Sequence, residues 1–590
     1  MTPKPKSLLG KFLLWRAKHI SQDRFVLMLS VLVGFITGLV AVILKNTTHF
    51  IQELVRSDYL DQYFNLYYFA FPLIGIILTV IVKRIINKPI SEGIPSTLYA
   101  ISRRSGFLQV YKTYAYLITS ALTVGFGGSV GLEGPTVGTG SAIGSNLGRM
   151  MHLNFRQRIL LMGCATAGAI ASIFNAPIAA IIFTIEIFSL DLTLASLVPL
   201  LLASVSGAVT SIFIQGNDYL FHYKSLAAFE ISDLPLYALM GVLTALVSVY
   251  FTKVYFYFDE LFTKIKSTWQ KVLIGGLSLG LLIWLVPPLY GEGYELINSL
   301  LNGEVISIVN QSILYDWFSG PYIVVALLLG LVFLKIFASV FTFGAGGVGG
   351  IFAPSLFVGA ALGFAFAYLV NQSGLSTIST TNFSLVGMAG LMAGVLHAPL
   401  TAIFMIAEIT AGYDLFIPLM TVSAISYLVT RSILPHSIYT MQLAKRGDLL
   451  THNKDQAILT LLSIATVVEK DFKKVKPEFT LGQLVKVVSR SKRNLFPVID
   501  EEGVLVGVLT LDDFRTIMFD HGLYDNTYVS ELMSPPPAVV DVKEDMSSVM
   551  KKFQSSGAWN LPVTENGKYL GFVSKSKLFS VYRRKLMEFS

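Results

Sequence analysis

Apolar stretches of about twenty residues recur through the first 450 positions of this 590-residue chain, and no other feature limits its fold as strongly. A helix rises about 1.5 Å per residue, so about twenty apolar residues cross the hydrocarbon of a bilayer. Long candidates lie near 25–45, 67–86, 194–214, 236–256, 272–290 and 322–343. Others, at 114–126, 137–148, 158–173, 178–190, 351–370, 383–396, 400–411 and 415–434, are short or interrupted by glycine. These are not all expected to cross as single straight helices. Irregular backbone at membrane depth survives only inside protein or beside a water-filled cavity. Discontinuous helices of this kind aim their ends at a transported ion.

Charge divides the chain in two. Overall 14% of residues are charged and 53% hydrophobic, whereas soluble proteins carry about 25% charged residues. Residues 451–590 hold 36 charges in 140 positions, while the 450 before them hold 46. A membrane domain followed by a soluble one is expected. The net charge of +8 splits as +6 and +2, too little for a nucleic-acid binder. On the apolar part the basic surplus reads as Lys and Arg facing the cytoplasm. Cys164 stands alone in an apolar stretch, so neither a disulfide nor a metal site is expected. Residues 1–24 mix Lys4, Lys6, Lys11, Arg16 and Lys18 with Leu8, Phe12 and Trp15 and lack a cleavage site, which reads as an interfacial helix on the cytoplasmic side.

The membrane part repeats itself. Gly127-Gly128-Ser129-Val130-Gly131-Leu132-Glu133-Gly134-Pro135 recurs 219 positions later as Gly346-Gly347-Val348-Gly349-Gly350-Ile351-Phe352-Ala353-Pro354. Gly168, Ala171, Ala176-Pro177 and Glu186 recur 222 positions later as Gly390, Ala393, Ala398-Pro399 and Glu408. Two related halves, about 25–214 and 236–450, would then meet around a shared site.

Glycines cluster where a helix is expected to begin. There they leave amide N–H groups uncovered, with the partial positive charge of a helix start, an anion site that needs no lysine. Partial charges hold an ion weakly enough to release it. Glu133 is the only charged residue between Lys112 and Arg149, and an ionisable group within a membrane segment points to function. Its carboxylate can occupy the anion's place, and its protonation would vacate it.

In these motifs the chain resembles the CLC chloride channels and proton-coupled anion exchangers. The resemblance rests on Gly131-Leu132-Glu133-Gly134-Pro135, on Gly350-Ile351-Phe352-Ala353-Pro354 and on Tyr439 in Ser437-Ile438-Tyr439-Thr440. It implies a polytopic α-helical membrane protein, an inverted repeat of tilted, partly broken helices over residues 25–450. It further implies a homodimer with one ion pathway per subunit and no enzymatic activity. Glu133 matches the family's gating glutamate. The backbone at Gly131, Leu132, Gly134, Gly350, Ile351, Phe352 and Ala353 and the Tyr439 hydroxyl match its anion site.

Two departures stand out. The family's first motif places a serine at the anion, but the chain reads Ser91-Glu92-Gly93-Ile94-Pro95, with Glu92 in the serine's place. An ionised carboxylate there would repel the anion, so Ser91, Glu92 and Gly93 are candidate contacts whose chemistry differs from the family's. Second, exchangers carry two adjacent glutamates after Asn-Ala-Pro, the second a proton relay. Here only Glu186 is present and Ile187 takes the relay position, so Glu186 and Glu408 are expected to satisfy helix-end groups. The expected function is transport of small monovalent anions, chloride first, by proton-coupled exchange gated by Glu133. The alternative is a passive voltage- or pH-gated chloride channel. A remote alternative is an intramembrane serine hydrolase, because Gly127-Gly128-Ser129-Val130-Gly131 fits Gly-x-Ser-x-Gly and His397 could be sought as its base.

Residues 451–590 hold a second, weaker repeat: Asn494-Leu495-Phe496-Pro497-Val498 with Gly507-Val508-Leu509-Thr510, and Asn560-Leu561-Pro562-Val563 with Gly571-Phe572-Val573-Ser574. The pattern resembles a pair of α/β CBS domains, about 465–520 and 530–590, joined through Pro535-Pro536-Pro537. In that family a Ser or Thr with an acid three positions later binds an adenine nucleotide. Thr510 and Asp513 fit, whereas Ser574 is followed by Lys577. No cofactor is required, and one nucleotide site at most is expected. The protein is placed in the plasma or inner membrane as a multi-pass protein with its tail in the cytoplasm.

Overall fold

The computed structural model describes residues 8–55, 64–90, 93–190, 193–216, 221, 227–304, 322–410, 412–445 and 462–589. Lys4, Lys6, Ser91, Glu92 and the domain boundary expected near 450 lie outside the described residues. The chain divides into two compact units, Met1–Leu449 and Leu450–Ser590.

The first unit is built from helices: α1 (Leu8–His19), α2 (Gln22–Val55), α3 (Phe64–Ile86), α4 (Gly93–Arg103), α5 (Lys112–Gly125), α6 (Glu133–Met150), α7 (Phe155–Phe174), α8 (Pro177–Phe188) and α9 (Leu194–Gln215). The second half continues with α10 (Leu234–Lys264), α11 (Thr268–Leu285), α12 (Tyr294–Leu301), α13 (Tyr322–Gly344), α14 (Phe352–Ser373), α15 (Thr380–Leu396), α16 (Pro399–Ile409), α17 (Phe416–Ile433) and the short α18 (Met441–Lys445). Among the described residues nine helices are long and apolar enough to cross a membrane. Three of them, α7, α14 and α17, run unbroken for 20, 22 and 18 residues. Segments that their glycines and length marked as short or broken are therefore continuous.

The reason is packing. A Cβ on Gly359 would lie 2.6 Å from Met388 Cα, and one on Gly363 would lie 2.9 Å from Ser384 Cα. These glycines let α14 and α15 touch backbone to backbone, as small residues do between membrane helices. In the first half α2, α7 and α9 pack mutually, and in the second α10, α15 and α17 do the same. A Cβ on Gly168 would meet Gly34 Cα at 2.8 Å; on the matching Gly390 it would meet the Thr244 hydroxyl at 2.7 Å. The repeated sequence thus builds a repeated three-helix packing unit.

Helix ends repeat as well. Asn175 (φ +51°) closes α7 in the left-handed region and Pro177 opens α8; His397 (φ +56°) closes α15 and Pro399 opens α16. A left-handed closing residue and a proline in the first turn are the expected stop and start signals. Glu186, near the end of α8, accepts from Leu400 N (3.1 Å), Thr401 N (2.8 Å) and the Thr401 hydroxyl (2.6 Å) at the start of α16. Glu408, near the end of α16, accepts from Ile178 N (3.0 Å) and Ala179 N (2.7 Å) at the start of α8. Each helix start is capped by the other's end, which sets the pair antiparallel about a local twofold perpendicular to both. The two glutamates satisfy helix-end groups, as their sequence context suggested.

The second unit holds two similar halves. In one, β1 (Leu495–Ile499) and β2 (Leu505–Thr510) pair antiparallel, with Leu495 opposite Thr510. In the other, β4 (Asn560–Glu565) and β5 (Lys568–Ser574) pair in the same way, with Asn560 opposite Ser574, and β3 (Val540–Asp541) adds in parallel to β4. Phe496, Leu509 and Phe514 fill one core, and Leu561, Val563 and Val573 the other. Helices α20 (Leu481–Val488) and α23 (Met546–Ser556) cover them, following α19 (Ile464–Val467) and separated by α21 (Leu511–Phe514) and α22 (Val529–Leu532); α24 (Lys575–Phe589) ends the unit. Thr480 and Gln483 form a capping box at the start of α20.

Candidate functional site

The chain reaches α6 through Gly127–Leu132 and α14 through Gly346–Ile351. Gly127 (φ +95°) and Gly346 (φ +104°) occupy matching left-handed positions that a side chain would strain. The two turns then pair with each other. Gly131 N donates to Gly350 O (3.0 Å) and Gly350 N to Gly131 O (2.7 Å), an antiparallel bridge between the halves. A Cβ on Gly134 would stand 2.9 Å from Gly349 O, and one on Gly350 would stand 2.7 Å from Glu133 Cδ. Only glycine permits this approach, which brings the two helix starts face to face.

Glu133 spans the gap. It is 3% exposed, and its Oε1 accepts the N–H groups of Phe352 (2.5 Å) and Ala353 (3.2 Å) at the start of α14. Those amides have no partner within their own helix. Oε2 is buried without a hydrogen-bond partner among the described residues. A carboxylate thus sits on the bare amides and dipole of a helix start, the chemistry that selects a small anion.

The other expected residues fall around this point to different degrees. Gly131, Leu132, Gly134, Gly350, Ile351, Phe352 and Ala353 are brought together with Glu133. Gly93 opens α4 against α6: a Cβ there would meet Gly134 O and lie 3.2 Å from Gly138 Cα. Tyr439 is 3% exposed, in a turn tied to the end of α15 by Ile438 N donating to Val395 O (3.3 Å). The α18 helix that follows packs on α4. Ser91 and Glu92 lie outside the described residues.

A cavity of about 480 Å³ approaches the glycine turns. Lys83, Arg104 and Lys112 line it, opposed by Asp259, and its wall includes the backbone of Gly347–Gly349 and Gln442. Lys83 Nζ donates to Gly346 O at 2.8 Å, and Lys112 donates to the Ser96 hydroxyl. Three cations in a concave space raise the local concentration of an anion.

Two charged residues escaped the sequence reasoning. Lys335 in α13 is fully buried, its ammonium donating to Gly291 O (2.8 Å) and Leu289 O (3.4 Å) and lying 4.7 Å from the Phe357 ring centre. The site was expected to need no lysine, yet this one braces the loop behind it, held by carbonyls. Its signal was available, since it is the only charge in the apolar run 322–343. Glu292 in that loop accepts Leu132 N at 3.2 Å. Flanked by glycines and outside any apolar run, it carries no such signal.

The Ser129 hydroxyl donates to Leu289 O (2.8 Å), while His397 packs edge-on against Tyr427. Their engagements serve the turn and a helix end respectively. In the tail, Asp513 accepts from the Thr510 amide (2.6 Å) and hydroxyl (2.7 Å) as a helix cap. Ser574 instead donates to Glu469 (2.6 Å), which also accepts from Arg493 (2.8 Å).

The sequence profile described as voltage gated chloride channel matches residues 74–431, and that of the CBS domain matches 464–520 and 529–584. The H(+)/Cl(-) exchange transporter ClcA of Vibrio cholerae serotype O1 (strain M66-2) is 31% identical over 444 residues, covering 71% of this chain and 88% of that protein. Chloride channel protein CLC-f of Arabidopsis thaliana is 27% identical over 553 residues, covering 81% of this chain and 68% of that protein. In three dimensions a slow cyanobacterial Cl-/H+ antiporter is similar with a TM-score of 0.61 at 22% identity, over 71% of this chain and 97% of that one. With a profile match over more than half its length and the paired glycine turns in place, the chain belongs to the voltage gated chloride channel family and carries two CBS domains after its membrane unit.

Proposed function

We propose that this protein exchanges chloride for protons across a membrane, with Glu133 as the gate. The observation that carries the reading is the Glu133 carboxylate seated on the Phe352 and Ala353 amides. Ionised, the carboxylate fills the anion's place. Protonated, it loses the charge that these charge-assisted bonds depend on, leaves, and a chloride ion takes the amides. One site thus serves anion and proton in turn. The similarity to an H(+)/Cl(-) exchange transporter supports exchange over a passive channel. The buried Ile187 at the usual relay position requires the proton to reach Glu133 by water or by another residue.

The same reading includes a homodimer with one pathway per subunit and a plasma or inner membrane setting with the tail in the cytoplasm. In the tail, Thr510 and Asp513 form the one conventional nucleotide position, because Ser574 is followed three positions later by Lys577 in place of an acid. The deciding experiment places purified protein in chloride-loaded liposomes and records whether a chloride gradient drives protons uphill. Uphill proton movement is expected. Chloride current that reverses at the chloride equilibrium potential, without proton flux, would make the protein a channel.

A further inference from the structure

Glu292 is a second carboxylate at the gate. It lies in the turn joining α11 to α12, between Gly291 (φ +59°) and Gly293 (φ +87°). The turn is fastened to the approach to α6 by several bonds. Gly291 N donates to Gly127 O (3.1 Å), the Ser129 hydroxyl to Leu289 O (2.8 Å) and Lys335 Nζ to Gly291 O (2.8 Å). So fixed, Glu292 Oε1 accepts the N–H of Leu132, the residue immediately before Glu133. Each helix start therefore meets a carboxylate: Glu133 on the first two amides of α14, and Glu292 on the amide of Leu132, the residue that precedes α6.

The two differ in access. Glu133 is 3% exposed, whereas Glu292 is half-buried, and neither stands in the wall of the cationic cavity. Among the described residues Glu133, Tyr294, Lys335 and Lys45 act on it electrostatically. Like charges so placed favour a proton on one of the pair, and the coupling is mutual.

We propose that Glu292 is a second titratable gate. Ionised, it holds the Leu132 amide against an incoming anion and favours the proton on Glu133. Protonated, it yields that amide to the anion. Chloride binding is then linked to proton uptake at both carboxylates. The inference rests on Glu133 as the first gate.

Glu292→Gln keeps an acceptor for Leu132 N and removes the charge, so Glu133 ionises more readily. The midpoint of the pH profile of chloride turnover in liposomes is expected to move to lower pH by about one unit. A wild-type melting temperature of the purified variant would show that it is folded. In Glu133→Gln, chloride affinity is expected to fall about tenfold from acid to alkaline pH, the size of one unit of coupling. The double variant should lose that dependence. An unmoved midpoint in Glu292→Gln, or a chloride affinity in Glu133→Gln that ignores pH, overturns the proposal. The second measurement decides even where Glu292→Gln fails to fold. Uphill proton transport persisting in Glu133→Gln would instead overturn the first gate, so the two failures are distinguishable.

Discussion

Replacing Glu133 by glutamine keeps an oxygen where Oε1 sits and removes only the charge. Its bonds to the Phe352 and Ala353 amides change from charge-assisted, about 1.5–3 kcal/mol each, to neutral, about 0.5–1.5 kcal/mol each. Two bonds contribute here, so the side chain's hold on the site weakens by about 2–3 kcal/mol. A chloride ion competing for the same amides should then bind about 30- to 150-fold more tightly. Calorimetric titration of chloride into purified protein at neutral pH, wild type beside variant, measures this. The same variant in liposomes should conduct chloride and no longer move protons uphill. A chloride affinity within twofold of wild type would show that the carboxylate does not contest the anion's place.

Three further outcomes follow from the packing and the charges. Gly363→Val drives a side chain into the backbone of α15, where even a Cβ would lie 2.9 Å from Ser384 Cα; overpacking of this kind costs about 1–3 kcal/mol, read as a lower melting temperature of the purified protein. Glu408→Ala strips the acceptor from Ile178 N and Ala179 N; water can reach the first, and orphaning the second costs about 1–3 kcal/mol. Glu408→Gln should restore part of the loss in the same melting assay, and a neutral alanine variant would refute the capping role. In the tail, burial alone would raise the Glu469 carboxyl, but bonds from Ser574 and Arg493 and the Arg493 charge outweigh it and hold it below its usual value. Its contribution is complete above the unfolded value and disappears as pH falls through the lower folded one. The tail should therefore lose stability below about pH 4, and Glu469→Gln should flatten that loss; an unchanged acid profile would remove Glu469 from the account.

Much of the site was legible because it is local. Gly131 to Pro135 and Gly350 to Pro354 announce helix starts with uncovered amides, and Glu133 is the lone charge in its stretch. Glu186 and Glu408 declared themselves as matched helix-end carboxylates. Glycine was read less well. In α7 and α14 its low helix propensity suggested interruption, but the helices run on because a neighbouring backbone occupies the space a side chain would need. Lys335 and Glu292 went unnoticed for opposite reasons. One lay inside a run counted as a simple span, and the other in a Gly-Glu-Gly turn that local chemistry explains without a site.

Charge density and apolar run length fix the partition into a membrane unit and a soluble tail, because each reflects the solvent a segment must face. Duplicated motifs establish two related halves, and the family follows from them. Which atoms meet was decided in three dimensions. Glu133 lies on amides 219 and 220 positions away, Glu408 caps a helix that starts more than 220 positions earlier, and Lys335 braces a turn some 45 residues before it. Periodicity and propensity are sums over neighbours in the chain. They carry no information about which distant backbone will be close enough to share a hydrogen bond, and folding around a twofold supplies that.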